Sequence, residues 1–188
     1  MLDRDLGRLA TRVGIRLLAT QCSVATAESC TGGFIAKALT DIAGSSQWFL
    51  EGFVTYSNES KVRRLGIPRS ILQREGAVSE PIARAMAIGA IKRARAQVAV
   101  AVTGIAGPAG AVPGKPVGTV WLAWAQRRGS TIRVRALRKK FRGDRDTVRR
   151  KTVQVALQGL LTRVPMRAPR QVYTVVDTRS VLYEMRNI

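Results

Sequence analysis

SVATA at 23–27, ESCTGG at 28–33 and FIAKALTDIA at 34–43 read together as a strand, a tight turn and a helix. The first segment is short and built of small, strand-compatible residues. The third carries apolar residues at helical spacing. Between them, Ser29 stands at the point where a strand hands over to a helix, so its hydroxyl lies next to backbone N–H groups that have no partner inside the helix. Those amides and the helix dipole suit a developing oxyanion. Gly32 and Gly33 let the backbone approach a ligand closely. Two readings of the turn stand side by side: Ser29 or Thr31 caps the helix, or Ser29 is a nucleophile.

Outward from this unit, helices and strands alternate. Leu6, Leu9, Val13, Leu17 and Leu18 place one apolar face on a helix over 3–20, with Asp3 as its N-cap. WFLEGFVTY at 48–56 reads as a strand. A short helix over 58–65 follows and is stopped by Gly66 and Pro68. Ser79 caps a longer helix that reaches about residue 95, with Glu80 and Pro81 in its first turn. QVAVAVT at 97–103 is a nearly continuous apolar run, as in a strand buried on both faces. It feeds GIAGPAGAVPGKPVG, a loop with five glycines and three prolines. Strands over 117–126 and 131–141 form a hairpin about Arg128, Gly129 and Ser130. Asp144 opens a last helix that runs to about residue 163. The order predicts an α/β fold, a three-layer α/β/α sandwich around a central mixed, mainly parallel sheet. Residues 1–164 form one domain. Residues 165–188 are a tail of different character, for which the sequence leaves two readings open: a further strand at VYTVV, or a partly disordered segment.

Composition narrows the chemistry. The chain has 188 residues, 46% of them hydrophobic and 5% aromatic, so its core rests on Val, Ala, Leu and Ile. It has no histidine. That excludes a histidine general base, a Ser-His-Asp triad and a His-ligated metal. Cys22 and Cys30 are too few for a disulfide framework or a zinc site and are expected to be thiols. No apolar stretch is long enough to span a membrane, and 1–5 has no signal-peptide character, so a cytoplasmic location without membrane contact is expected.

Three loops follow predicted strands: 28–33, then Thr55-Tyr56-Ser57-Asn58-Glu59-Ser60-Lys61, then Thr103-Gly104-Ile105-Ala106-Gly107-Pro108. In α/β sheets the ligand crevice lies outside the carboxyl ends of the strands, where three such loops converge. A serine needs a base, and without histidine a lysine is the natural one, provided that burial or neighbouring positive charge lowers its pKa. Lys61 is the candidate, with Arg63 and Arg64 beside it and Tyr56 to relay a proton or hold a hydroxyl. By itself Lys61 reads first as an ordinary surface lysine, and its case as the base rests on the other two loops. Thr103 and the glycine amides after it can seat a phosphate or carboxamide. Cys30 is a rival nucleophile, since a thiol at a helix N-terminus is acidified, but it lacks its usual histidine partner.

The stretches ATAESCTGGFIA, GFVTYSNESKVRRLGI, GAVSEPIARAMAIGA, VAVAVTGIAGPAG, KPVGTVWLAW and FRGDRDTVRRKTVQVAL, in order from about residue 24 to 157, resemble the C-terminal domain of the CinA family, the competence- and damage-inducible proteins. Stand-alone members of that family are nicotinamide-nucleotide amidases. The resemblance implies conversion of nicotinamide mononucleotide and water to nicotinate mononucleotide and ammonia, a step of pyridine nucleotide recycling, with no cofactor or metal. It implies Ser29 as nucleophile with Lys61 and Tyr56 assisting, a sheet flanked by helices, and a homodimer. Longer members carry an N-terminal domain resembling molybdopterin-binding proteins, which this chain is expected to lack. From the loops themselves, Cys30, Thr31, Gly32, Gly33, Thr103 and Gly104 are expected to line the substrate, and Arg142 or Arg145 of the FRGDR stretch to hold the 5′-phosphate, since an arginine fork suits a pair of phosphate oxygens.

The net charge is +20. Residues 127–151 hold 12 of the 32 basic side chains against Asp144 and Asp146. A solvated basic face, steering of a phosphorylated substrate and weak non-specific nucleic-acid binding all fit this excess. The alternative function is therefore a catalytically silent nucleic-acid-binding protein on the same fold. The basic excess and the tail after Val164 are the two departures from the family pattern.

Overall fold

A computed structural model describes residues 2–164, so the VYTVV stretch and the rest of the tail lie outside the described residues. Five strands form one sheet: β1 (Val24–Glu28), β2 (Phe49–Val54), β3 (Val98–Gly104), β4 (Thr119–Arg128) and β5 (Thr131–Lys140). Their spatial order is β2-β1-β3-β4-β5. β1 runs parallel to both β2 and β3, whereas β3–β4 and β4–β5 are antiparallel. The sheet is mixed as expected, with parallel and antiparallel pairings equal in number. Gly129 and Ser130 make the two-residue turn between β4 and β5.

The alternation VAVAV decides how the layers stack. Successive strand side chains point to opposite faces. Val98, Val100 and Val102, with Val120, Leu122 and Trp124, pack on one face against α1 (Leu2–Ala19), α2 (Phe34–Thr40) and α6 (Arg145–Arg163). Ala99 and Ala101, with Ala25, Ala27, Ala123 and Ala125, lie on the other face under α3 (Asn58–Leu65), α4 (Arg69–Glu75) and α5 (Glu80–Arg93). Ile82, Met86 and Ile91 of α5 fill the space left by this alanine face.

Several local expectations change. The first helix already includes Asp3, which is therefore not its N-cap, and Leu18 and Ile15 are exposed while Leu6, Val13 and Leu17 are buried. Ser79 does not cap α5 through its side chain; its hydroxyl donates to the Gly76 carbonyl instead. The α4 helix and a 3-10 turn over Ser45–Gln47 have no counterpart in the sequence reading, being too short to show a period.

The connections position the site. From β1 the chain leaves through α2 toward β2, at one edge. From β2 it returns through α3, α4 and α5 on the opposite face and enters β3 on the other side of β1. The loops leaving β1 and β3 therefore diverge, and their carboxyl ends flank the crevice typical of a topological switch point.

Candidate active site

Ser29 leaves β1 with its amide bonded to the Val102 carbonyl of β3 at 3.1 Å. The chain then turns sharply, the Gly32 amide donating back to the Ser29 carbonyl at 3.1 Å. Gly32 and Gly33 both have positive φ, 61° and 94°, which side chains with a Cβ adopt only with strain. Glu28, fully buried, accepts from the Thr31 hydroxyl at 2.6 Å and from the amides of Gly33, Ile35 and Ala36 at 3.1, 2.9 and 2.8 Å. This single carboxylate satisfies the first free donors of α2 and ties the turn to the strand.

Lys61 comes from α3, whose N-cap Ser57 accepts from the Ser60 amide at 3.0 Å. The side chain is 1% exposed. Its Nζ donates to the carbonyls of Thr55 and Tyr56 at 2.9 and 3.1 Å and lies 3.2 Å from Ser29 Oγ. Burial lowers the Lys61 pKa below 10.5. Arg63 and Arg64, expected to share in this, are exposed on the outer side of α3 and are not the cause.

Tyr56 meets Lys61 through its backbone carbonyl. The residue is 58% exposed, and its hydroxyl accepts from Arg145 at 3.0 Å. Arg145 also donates to the Gly107 carbonyl at 2.9 Å, so it bridges the second and third loops. Arg149, one turn further along α6, donates to the Thr31 carbonyl at 2.7 Å. Arg142 is exposed, and among the described residues only its carbonyl is engaged, by Lys151 at 2.9 Å.

Other expected site residues hold the scaffold. The Cys30 side chain is buried in the core, and burial pushes its thiol up to about 12, opposite to the acidified nucleophile considered from sequence. The Thr31 hydroxyl is committed to Glu28 and the Thr103 hydroxyl to the Ala77 carbonyl at 2.8 Å. Gly104 lies against Thr119 and Val120, too close for a Cβ. The amides of Gly32 and Gly33 are already used, whereas those of Cys30 and Thr31 are bonded to no protein oxygen among the described residues. Glu28 and Arg149 stand within the ESCTGG and FRGDRDTVRRKTVQVAL stretches, but no part in the site is evident for them from the sequence. An acidic residue closing a buried strand was the available signal for Glu28; nothing in the sequence marks Arg149 among its basic neighbours. No cluster of His, Cys, Asp or Glu suited to a metal ion occurs among the described residues, and none of their helices is long and apolar enough to cross a membrane.

Residues 7–164 match the family model for the CinA C-terminal domain. The chain is 54% identical over 160 residues to the nicotinamide-nucleotide amidohydrolase PncC of Escherichia coli K12, covering 85% of this chain and 95% of that one. It is 54% identical over 153 residues to the Pseudomonas putida protein of the same name, covering 81% and 93%. Among solved structures it resembles the competence damage-inducible protein A of Klebsiella pneumoniae, with a TM-score of 0.79 and 39% identity over 84% of this chain and 96% of that one. A competence/damage inducible protein from Agrobacterium tumefaciens gives 0.78 and 45%, over 84% and 94%. With the family model spanning the described domain and relatives this similar over nearly their whole length, the chain belongs to the CinA C-terminal domain family.

Proposed function

We propose that this protein is an amidohydrolase that removes ammonia from the carboxamide of nicotinamide mononucleotide, through an acyl-enzyme on Ser29 with Lys61 as base. The observation that carries the mechanism is the setting of Lys61 Nζ, buried, 3.2 Å from Ser29 Oγ and bonded to two carbonyls. A neutral amine has two protons and one lone pair. The Thr55 and Tyr56 carbonyls accept hydrogen bonds from its two N–H groups, and the lone pair is left to accept from the Ser29 hydroxyl. An ordinary lysine near 10.5 would cost about 4–5 kcal/mol to deprotonate at pH 7; burial reduces that cost.

In the first half-reaction Ser29 Oγ attacks the carboxamide carbon as its proton passes to Lys61. The Cys30 and Thr31 amides hold the oxyanion. Lys61 returns the proton to the leaving nitrogen, and ammonia departs. Water then attacks the ester, again giving its proton to Lys61, and nicotinate mononucleotide leaves with Ser29 restored. Arg145, exposed between Tyr56 and Gly107, is the better of the two expected phosphate ligands, because it already joins the loops that follow β2 and β3, whereas Arg142 contacts neither. The substrate class rests on the names of the relatives 54% identical to this chain. The test is ammonia release from nicotinamide mononucleotide, nicotinamide riboside and free nicotinamide. Turnover of the mononucleotide well above the other two is expected; equal turnover of riboside and mononucleotide would remove the phosphate from the account.

A further inference from the structure

At the pole of the sheet opposite the crevice, α6 ends beside β4 and β5. Gln126 of β4 donates to the Arg163 carbonyl at 2.7 Å and so fixes this end of the helix. The Arg163 guanidinium lies 4.3 Å above the Trp124 ring. A groove of about 450 Å³ opens here, walled by Arg128, Arg133, Arg135 and Arg163, and no acidic residue lines it. None of these four arginines makes an ion pair among the described residues. Arg135 is close enough for its charge to add to burial in lowering the Arg163 pKa.

The strand explains how the charges line up. Arg133 pairs with Gln126, Arg135 with Trp124 and Leu137 with Leu122, so Arg133, Arg135, Leu137 and Lys139 share the face on which α6 packs. α6 rests on β3 and β4, while α5 covers the opposite face of β5. The α6-side face of this edge strand is left exposed. Alternate residues on a strand stand about 6.5–7 Å apart, comparable with the step between consecutive phosphates of an extended nucleic-acid strand.

We infer that this groove and the exposed face of β5 form a nucleic-acid backbone site, sequence-independent and separate from the amidase crevice. The arginine pair supplies forks matched to phosphate oxygens. Trp124 is 3% exposed, so it supports Arg163 and offers no stacking surface to a base. This makes the site one for phosphates. Residues 165–188 carry four arginines against Asp177 and Glu184, so the chain's own tail has the wrong sign to neutralise the groove. The inference does not depend on the amidase reading.

The test is fluorescence anisotropy of a labelled single-stranded DNA of about 20 nucleotides with the full chain, across a potassium chloride series. Each phosphate contact on a single strand contributes about 0.7 to the slope of log affinity against log salt. Arg133→Gln/Arg135→Gln is expected to lower the slope by about 1.4 and to weaken binding at about 0.1 M salt by tenfold or more. Arg133→Glu/Arg135→Glu should weaken it further. Arg4→Glu/Arg12→Glu, the same charge change on exposed positions of α1, should weaken it less than about threefold. Thermal melting of each variant checks folding. Equal losses in the β5 and α1 variants would show that binding follows net charge alone and overturn the inference. So would no binding by the wild type at about 50 mM salt. Binding of phosphatidylserine vesicles, dependent on Arg133 and Arg135 but without DNA binding, would overturn the choice of ligand.

Discussion

Replacing Glu28 by Gln tests how the nucleophile is held, and the structure gives the size of the effect. Glu28 Oε2 accepts three hydrogen bonds and Oε1 accepts one, from the Ala36 amide. The glutamine carbonyl can replace Oε2. Its NH2 then faces the Ala36 amide, donor against donor. One unpaired buried donor costs about 1–3 kcal/mol. Loss of the negative charge at the start of α2 adds about 0.3–2 kcal/mol. A domain of this size loses about 2–4 °C per kcal/mol, so Glu28→Gln should melt roughly 5–15 °C below the wild type. The Ser29 turn is anchored through the same bonds. A loosening of about 1 Å there would reduce ammonia release from nicotinamide mononucleotide by about a hundredfold. Melting followed by circular dichroism and turnover at saturating substrate measure both. A Gln variant within about 2 °C of the wild type and within about twofold in rate would refute this account of Glu28.

Lys61→Arg should be nearly inactive, because a guanidinium does not act as a base at these pH values. In the wild type, kcat/KM should rise with pH along one ionisation below 10.5, since burial lowers the Lys61 pKa and the deprotonated amine is the active form; a flat profile contradicts this. Cys30→Ser should retain activity, and Cys30 in the folded protein should resist iodoacetamide at pH 8, because burial pushes its thiol up to about 12; rapid alkylation measured by mass spectrometry contradicts it. Gly159→Ala would drive a methyl group into the Trp124 indole that α6 packs on, so melting should show a loss of about 1–3 kcal/mol or more.

The layers were legible because the period is strong where burial is complete. VAVAV in β3 announces a strand covered on both faces, and NESKVRRL between Ser57 and Gly66 announces α3 with its residue limits. The strand order needed the pairing itself, since no local signal places β1 between β2 and β3. At the site, the sequence named Ser29 and Lys61, and the fold places Nζ beside Oγ across 32 residues of chain. It did not show the duties of the neighbours. Thr31, Thr103 and the Gly33 amide read as ligand contacts, yet their bonds go to Glu28 and Ala77. Whether a polar group serves a ligand or the scaffold depends on what lies across from it, which spacing along the chain does not record.

The most direct test of the central claim is the rate of ammonia release from nicotinamide mononucleotide by Ser29→Ala, measured with thermal melting of the same sample. Loss of an acylating nucleophile removes several orders of magnitude of rate. The account predicts a variant that melts like the wild type and turns over at least about a thousandfold more slowly. A folded Ser29→Ala that keeps more than about a tenth of the wild-type rate would contradict it.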